Sequence, residues 1–229
     1  MKKILCVLLL PVAIHANAQR FNAGISGGLV ATDVYASDLY DYDTDFHKAG
    51  FTFGGTVSTV LSQKATLRLE LNYIQKGTQQ PADSNGNGYY KISFNYLEFP
   101  LIIKWRLNFN IGKKPINRFD FHTGISLGKL ISHKADGDNF YSYGNDSYLN
   151  KTDVSLLAGI GYNFSQHFNF SFRYSNSLIP VFKRNSPPPF YFTSTFNNGN
   201  NLVWHFILQY MFGADKNTPA PPVDENNEQ

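Results

Sequence analysis

The sequence predicts an all-β fold, an eight-stranded antiparallel transmembrane β-barrel with four long extracellular loops and short periplasmic turns. Three observations predict it. Eight segments alternate apolar and polar residues with period two, the period of a strand that shows a different environment to each face. The connections between those segments alternate long and short, as in barrels that cross a membrane. Aromatics and glycine are abundant, with 20 Phe, 14 Tyr and 18 Gly in 229 residues, while only 16% of residues are charged. That mixture suits strands with one greasy face.

The first 18 residues are excluded from the fold. Lys2 and Lys3 form a basic start, Ile4 to Ile14 an apolar stretch, and Ala16-Asn17-Ala18 a small-residue cleavage site, so residues 1–18 read as a signal peptide cut after Ala18. The apolar stretch is too short to span a bilayer. Cys6, the one cysteine, lies inside it. A mature chain from Gln19 therefore has no thiol, which excludes disulfides, cysteine-ligated metals and a cysteine nucleophile together. Cleavage also removes two lysines, leaving 18 basic residues against 17 acidic ones. Nucleic-acid binders carry a basic surplus or stripe, and this chain has neither. Beyond the signal peptide no window approaches 18 consecutive apolar residues; the longest run, Phe99 to Ile103, has strand length.

The strands follow in order. Arg20 to Thr32 sets Phe21, Ala23, Ile25 and Leu29 against Asn22, Gly24 and Ser26. Lys48 to Leu61 sets Phe51, Phe53 and Val57 against Thr52, Gly54, Thr56 and Ser58. Lys64 to Lys76 alternates most clearly, with Leu67, Leu69, Leu71 and Tyr73 against Arg68, Glu70 and Asn72. In Tyr90 to Leu107 the apolar residues change parity, from Ile92, Phe94 and Tyr96 to Leu97, Phe99, Leu101, Ile103 and Trp105. A bulge near Tyr96-Leu97 would restore the phase, and Pro100, which has no N–H for a ladder, supports an irregularity there. Asn117 to Ile131 sets Phe119, Phe121, Ile125 and Leu127 against Asp120, His122, Gly124 and Ser126. Asp153 to Phe164 sets Val154, Leu156, Ala158 and Ile160 against Ser155, Gly159 and Gly161. The last two segments place Phe168, Phe170, Phe172 and Tyr174, then Trp204, Phe206, Leu208 and Tyr210, on their apolar faces.

Alternation alone also fits a soluble sandwich, whose inner face is apolar. The connections decide for the membrane. Asp33 to His47, Gly77 to Tyr89, Ser132 to Thr152 and Ser177 to Asn201 are long; those at Ser62-Gln63, Asn108 to Ile116 and Ser165-Gln166 are short. The barrel then spans residues 19–212, and the polar, proline-rich residues 213–229 read as a disordered periplasmic tail.

Four strings carry a family resemblance: Glu70-Leu71-Asn72-Tyr73 with Lys76-Gly77, Tyr96-Leu97-Glu98-Phe99-Pro100-Leu101, Gly159-Ile160-Gly161-Tyr162 and Arg173-Tyr174. Together they resemble the PorT-like family of small outer-membrane β-barrel proteins, over roughly Arg20 to Phe212. The resemblance implies a cell outer membrane location in a Gram-negative envelope. Its founding member is tied to protein secretion, which implies an accessory role in export. Neither of the first two strings is catalytic in that family. The chain departs from many barrels in ending 17 residues beyond Phe212, the aromatic that would close the last strand.

Candidate site residues are the charged ones on the polar faces: Arg68, Glu70, Glu98, Lys104, Arg106, Asp120, His122, Asp153, Arg173 and His205. An eight-stranded barrel has room inside for side chains and little else, so these charges must neutralise one another. Arg68, Arg106 and Arg173 against Glu70, Glu98 and Asp120 is the expected pairing. A plug of ion pairs is one outcome and a narrow small-solute channel the other. A lipid hydrolase is the third reading, on Asp120, His122 and Ser126, but residues two apart on one strand face sit about 7 Å apart at the backbone, beyond the reach a nucleophile and base need. Asp41, Asp43 and Asp45 in the first long loop have the spacing of calcium ligands but lack the glycine and the closing glutamate of a known calcium loop. No cofactor or metal site is expected. Expected partners are outer-membrane lipid, including lipopolysaccharide, and secretion-machine or surface proteins reached through the extracellular loops. Phe140 to Gly144 and Pro187 to Phe192 are the aromatic stretches of those loops.

Overall fold

A computed structural model describes residues 21–35, 46, 48–80, 89–111, 114–137, 149–183 and 199–213. Asp41, Asp43, Asp45, the two aromatic loop stretches, the signal peptide and the tail from residue 214 lie outside the described residues. Eight strands run β1 (Phe21–Tyr35), β2 (Lys48–Val60), β3 (Ala65–Gln80), β4 (Tyr90–Ile111), β5 (Lys114–Gly137), β6 (Thr152–Asn163), β7 (Phe168–Ser177) and β8 (Asn200–Met211). Each pairs antiparallel with its neighbours in sequence, and β8 returns to β1 through Gly24↔Met211, Val30↔His205 and Tyr35↔Asn200. The barrel is closed, so no strand edge is left to pair with another chain. No helix among the described residues is long and apolar enough to cross a membrane, which says nothing of crossing with strands.

The two faces of each strand meet opposite environments. Leu29 is 67% exposed while Val30 beside it is 2% exposed. Ile25, Phe53, Leu69, Leu71, Leu127, Leu156, Ile160 and Leu208 stand outward in the same way, and Arg68, Glu70, Asp120, His122, Ser171, Arg173 and Gln209 are buried inward. A soluble barrel would bury the first set. Apolar side chains displayed outward over closed strands form the band that a bilayer covers.

One end carries the short connections. Leu61 N and Ser62 N donate to Ala65 O at 2.9 and 3.0 Å, and Ser165 Oγ accepts from His167 N and Phe168 N at 3.2 and 3.0 Å. The first and last strand termini lie at this end, which short turns mark as periplasmic. The four long connections emerge at the other, the loop end. There Trp204 packs its ring 4.7 Å from Tyr174 and 5.0 Å from Phe172, the aromatic girdle expected where hydrocarbon meets headgroups.

β4 corrects the alternation reading. Ile92, Phe94, Tyr96, Glu98, Ile102 and Lys104 are all buried, and Phe99, Leu101 and Trp105 exposed, so the strand keeps one parity from Ile92 to Trp105. The register does shift between Asn95 and Tyr96, but the extra residue is Ile131 on β5: Asn95 faces Ser132 and Tyr96 faces Leu130. Pro100 sits where the β3–β4 ladder skips from Leu69↔Leu101 to Asn72↔Glu98, because its nitrogen has no hydrogen to give. Ile92, Phe94 and Tyr96 are interior residues. With Val30, Val34, Ile74, Leu149, Val181, Phe182 and Val203 they form a buried apolar cluster toward the loop end.

Candidate functional site

The interior is built from three layers. Nearest the periplasmic end, Glu70 on β3 accepts both terminal nitrogens of Arg173 on β7 at 2.9 Å each, Gln209 Nε2 on β8 at 2.9 Å and Asn72 Nδ2 at 3.0 Å. Arg68 Nη1 lies 3.9 Å from Glu70 Oε1 and donates to Gln209 Oε1. A two-pronged guanidinium–carboxylate contact is among the strongest a protein makes. Arg173 also extends the network: its Nε donates to Ser171 Oγ at 2.9 Å, and Ser171 lies 3.0 Å from His122 Nδ1. His122 Nε2 contacts Asp120 Oδ1, and Asp120 Oδ2 meets Lys104 Nζ at 3.1 Å and Asn163 Nδ2 at 2.7 Å. With the ring proton on Nε2, every member has a matching partner: Arg173 gives to Ser171, Ser171 to His122, and His122 to Asp120. One polar chain thus crosses the lumen through side chains of β3 to β8.

Gly161 makes room for it. A methyl there would strike the Asp120 carboxylate and sit 2.7 Å from His122 Nε2. Strand positions facing the lumen alternate small and large residues for this reason.

The second layer lies nearer the loop end. Lys76 Nζ is held between Glu98 Oε1 at 2.5 Å and Asp153 Oδ2 at 2.8 Å, over the Tyr96 ring at 5.3 Å. Asp153 collects Ser155 Oγ at 3.0 Å, Ser177 Oγ at 2.6 Å and Asn201 Nδ2 at 3.2 Å. Between the layers His205 Nε2 meets Ser175 Oγ at 2.9 Å, and a cavity of about 20 Å³ touches Asn72, Glu98, Ser126, Arg173 and His205. That volume holds about one water. The apolar cluster forms the third layer. Among the described residues, the lumen is crossed by the two salt-bridge layers and then, toward the loop end, by aromatic and aliphatic side chains.

The partners differ from the expected pairing. Arg68 and Arg173 both serve Glu70, Lys104 serves Asp120, and Glu98 belongs with Asp153 to Lys76. Arg106 lies opposite Asp120 in the β4–β5 ladder. Lys76 was not among the candidates because it stands at the end of the clear alternation, next to Gly77. That glycine takes φ 132°, and a Cβ on it would strike Ile92 O and come 3.1 Å from Lys48 Cε. The Lys76-Gly77 pair therefore has a packing reason: a lumen cation followed by the residue that lets β3 lie against β4.

The histidine does not meet Ser126. Ser126 pairs across the sheet with Ser155 and Pro100, while the serine beside His122 is Ser171, contributed by β7. Asp120, His122 and Ser171 share the order of contacts of a hydrolytic triad. Ser171 is fully buried, and its oxygen already accepts from Arg173, so the arrangement presents no nucleophile to a substrate. Among the described residues no group of three or more His, Cys, Asp or Glu is placed to hold a metal ion.

No curated protein matches the chain. Solved structures similar to it include Ail, the attachment invasion locus protein of Yersinia pestis, at 13% identity, TM-score 0.43, over 84% of this chain and 99% of that one. Neisserial surface protein A matches at 13% identity, TM-score 0.41, over 83% and 96%, and the outer membrane protein AlkL at 11%, TM-score 0.37, over 84% and 92%. The outer membrane protein beta-barrel domain model matches residues 16–183, and this chain belongs to that family.

Proposed function

We propose that the protein is a non-conducting, non-enzymatic outer-membrane anchor whose work is done by what its extracellular segments and periplasmic tail bind. The observation that carries this reading is the filled interior: among the described residues, two ion-pair layers and an apolar layer occupy the lumen, and the cavity between the ion-pair layers holds about 20 Å³. The PorT-like strings make a component of a protein-export machine the first partner to test. Export through a signal peptide cut after Ala18 belongs to the same proposal.

A small-solute channel requires both ion-pair layers and the apolar cluster to move at once. A lipid hydrolase on Ser171 requires its substrate to reach a side chain enclosed on every side. Planar bilayers separate these readings. The purified protein is expected to give no conductance steps, and photocrosslinkers placed in residues 138–148 or 184–198 are expected to trap an envelope protein in intact cells. Steady ohmic steps, or hydrolysis of phospholipid that disappears in His122→Ala, would favour the alternatives.

A further inference from the structure

The outer surface of β4–β6 at the loop end carries a charge pattern that neither the fold nor the filled lumen requires. Below the bulge, the outward residues of β5 are odd-numbered: Phe121, Ile125, Leu127 and then Lys129, which is exposed and lies opposite Leu97 of β4 and Thr152 of β6. The extra residue Ile131 reverses the parity. Lys134 lies opposite Ser93, and Asp136 opposite Lys91. Directly opposed residues share a face, and on β4 the odd-numbered residues face out. Lys91, Lys129 and Lys134 therefore stand on one outer surface. Without the bulge Lys134 would point into the barrel.

Among the described residues, three lysines thus face one carboxylate, Asp136, immediately above the last apolar residues of the lipid-facing band. At the loop end of the opposite wall, β7, β8, β1 and β2 present Tyr174, Trp204, Leu29 and Phe51, none charged. A lysine that flanks a hydrocarbon band lies at headgroup depth, where its ammonium meets lipid phosphate. We infer that the β4–β6 wall binds the phosphate groups of an anionic glycolipid of the outer leaflet. The occupant follows from charge complementarity and from continuity of the patch with the membrane-facing surface. The anchoring reading of the previous section does not depend on it.

The test uses the full-length folded protein in phosphatidylcholine nanodiscs doped with phosphorylated lipid A, with bound lipid counted by native mass spectrometry. Each lysine at an anionic surface contributes roughly a fivefold factor, so Lys91→Gln/Lys129→Gln/Lys134→Gln is expected to lower lipid A enrichment by about a hundredfold. Lys64→Gln, at the periplasmic end, is expected to leave it unchanged. The heat-dependent gel shift of folded barrels verifies that each variant is folded. Dephosphorylated lipid A is expected to show no enrichment. Equal enrichment of the dephosphorylated lipid, or retention by the triple variant, overturns the inference. Displacement of lipid A by millimolar inorganic phosphate also overturns it, by marking a soluble-anion site.

Discussion

Glu70 gives the sharpest test of the filled interior. It accepts four hydrogen bonds between 2.9 and 3.0 Å, two of them from Arg173, with Arg68 3.9 Å away. In Glu70→Leu two guanidiniums lose their counter-ion, and Gln209 and Asn72 each lose an acceptor. Breaking a buried pair from one side costs about 3–5 kcal/mol, roughly a 10²- to 10⁴-fold rise in the unfolding constant. Arg173→Leu leaves Glu70 with Arg68, Gln209 and Asn72, so its cost lies toward the lower figure, about 3 kcal/mol. The double variant removes both charges of the closest pair and is expected to cost less than the two singles added, with a coupling of about 1–3 kcal/mol. Urea titration of the protein in lipid vesicles, followed by the gel shift and by fluorescence of Trp105 and Trp204, measures all three. Single-variant losses under about 1 kcal/mol with no coupling refute the reasoning, because they mean that water already screens the pair.

Three further outcomes follow from the same geometry. Lys76→Met strips the cation shared by Glu98 and Asp153 and is expected to destabilise by about 3–5 kcal/mol in the same titration, whereas a loss below 1 kcal/mol would place the cluster in water. Gly161→Ala drives a methyl into the Asp120–His122 contact and is expected to cost about 1–3 kcal/mol, while Ala158→Gly, on the outward face of the same strand, is expected to cost under about 1 kcal/mol. Ile125→Arg, in the middle of the outward face of β5, is expected to cost roughly 2–4 kcal/mol in vesicles; a neutral result there would mean that the outward face meets water.

Much of this structure is legible in the sequence, and the exceptions have physical causes. Period two revealed all eight strands because each wall position separates lipid from a polar interior. It could not reveal the outer parts of β3 and β5, which continue to Gln80 and Gly137, because strands that leave the bilayer no longer alternate. Nor does the period say which face is which. Ile92, Phe94 and Tyr96 look like lipid-facing residues, yet they fill the lumen near the loop end, and only the position of the bulge, on β5 and not β4, decides it. Lumen contacts between strands distant in sequence depend on register and barrel stagger. That is why Ser171 and not Ser126 reaches His122, and why Glu98 joins Lys76 and Asp153, not an arginine.

The central claim is that the odd-numbered side chains of β5 from Phe121 to Leu127 touch lipid while His122 and Ser126 between them are sealed from water. Because Cys6 is the only cysteine, replacing it frees the chain for single spin labels at Ile125, Ser126 and Leu127. Paramagnetic relaxation in vesicles then reads each position. The account predicts collision with lipid-dissolved oxygen at 125 and 127, and at 126 almost none with either oxygen or a water-soluble nickel complex. Strong nickel collisions at 126 would reveal an open aqueous lumen, and nickel collisions at 125 and 127 would show that the band faces water.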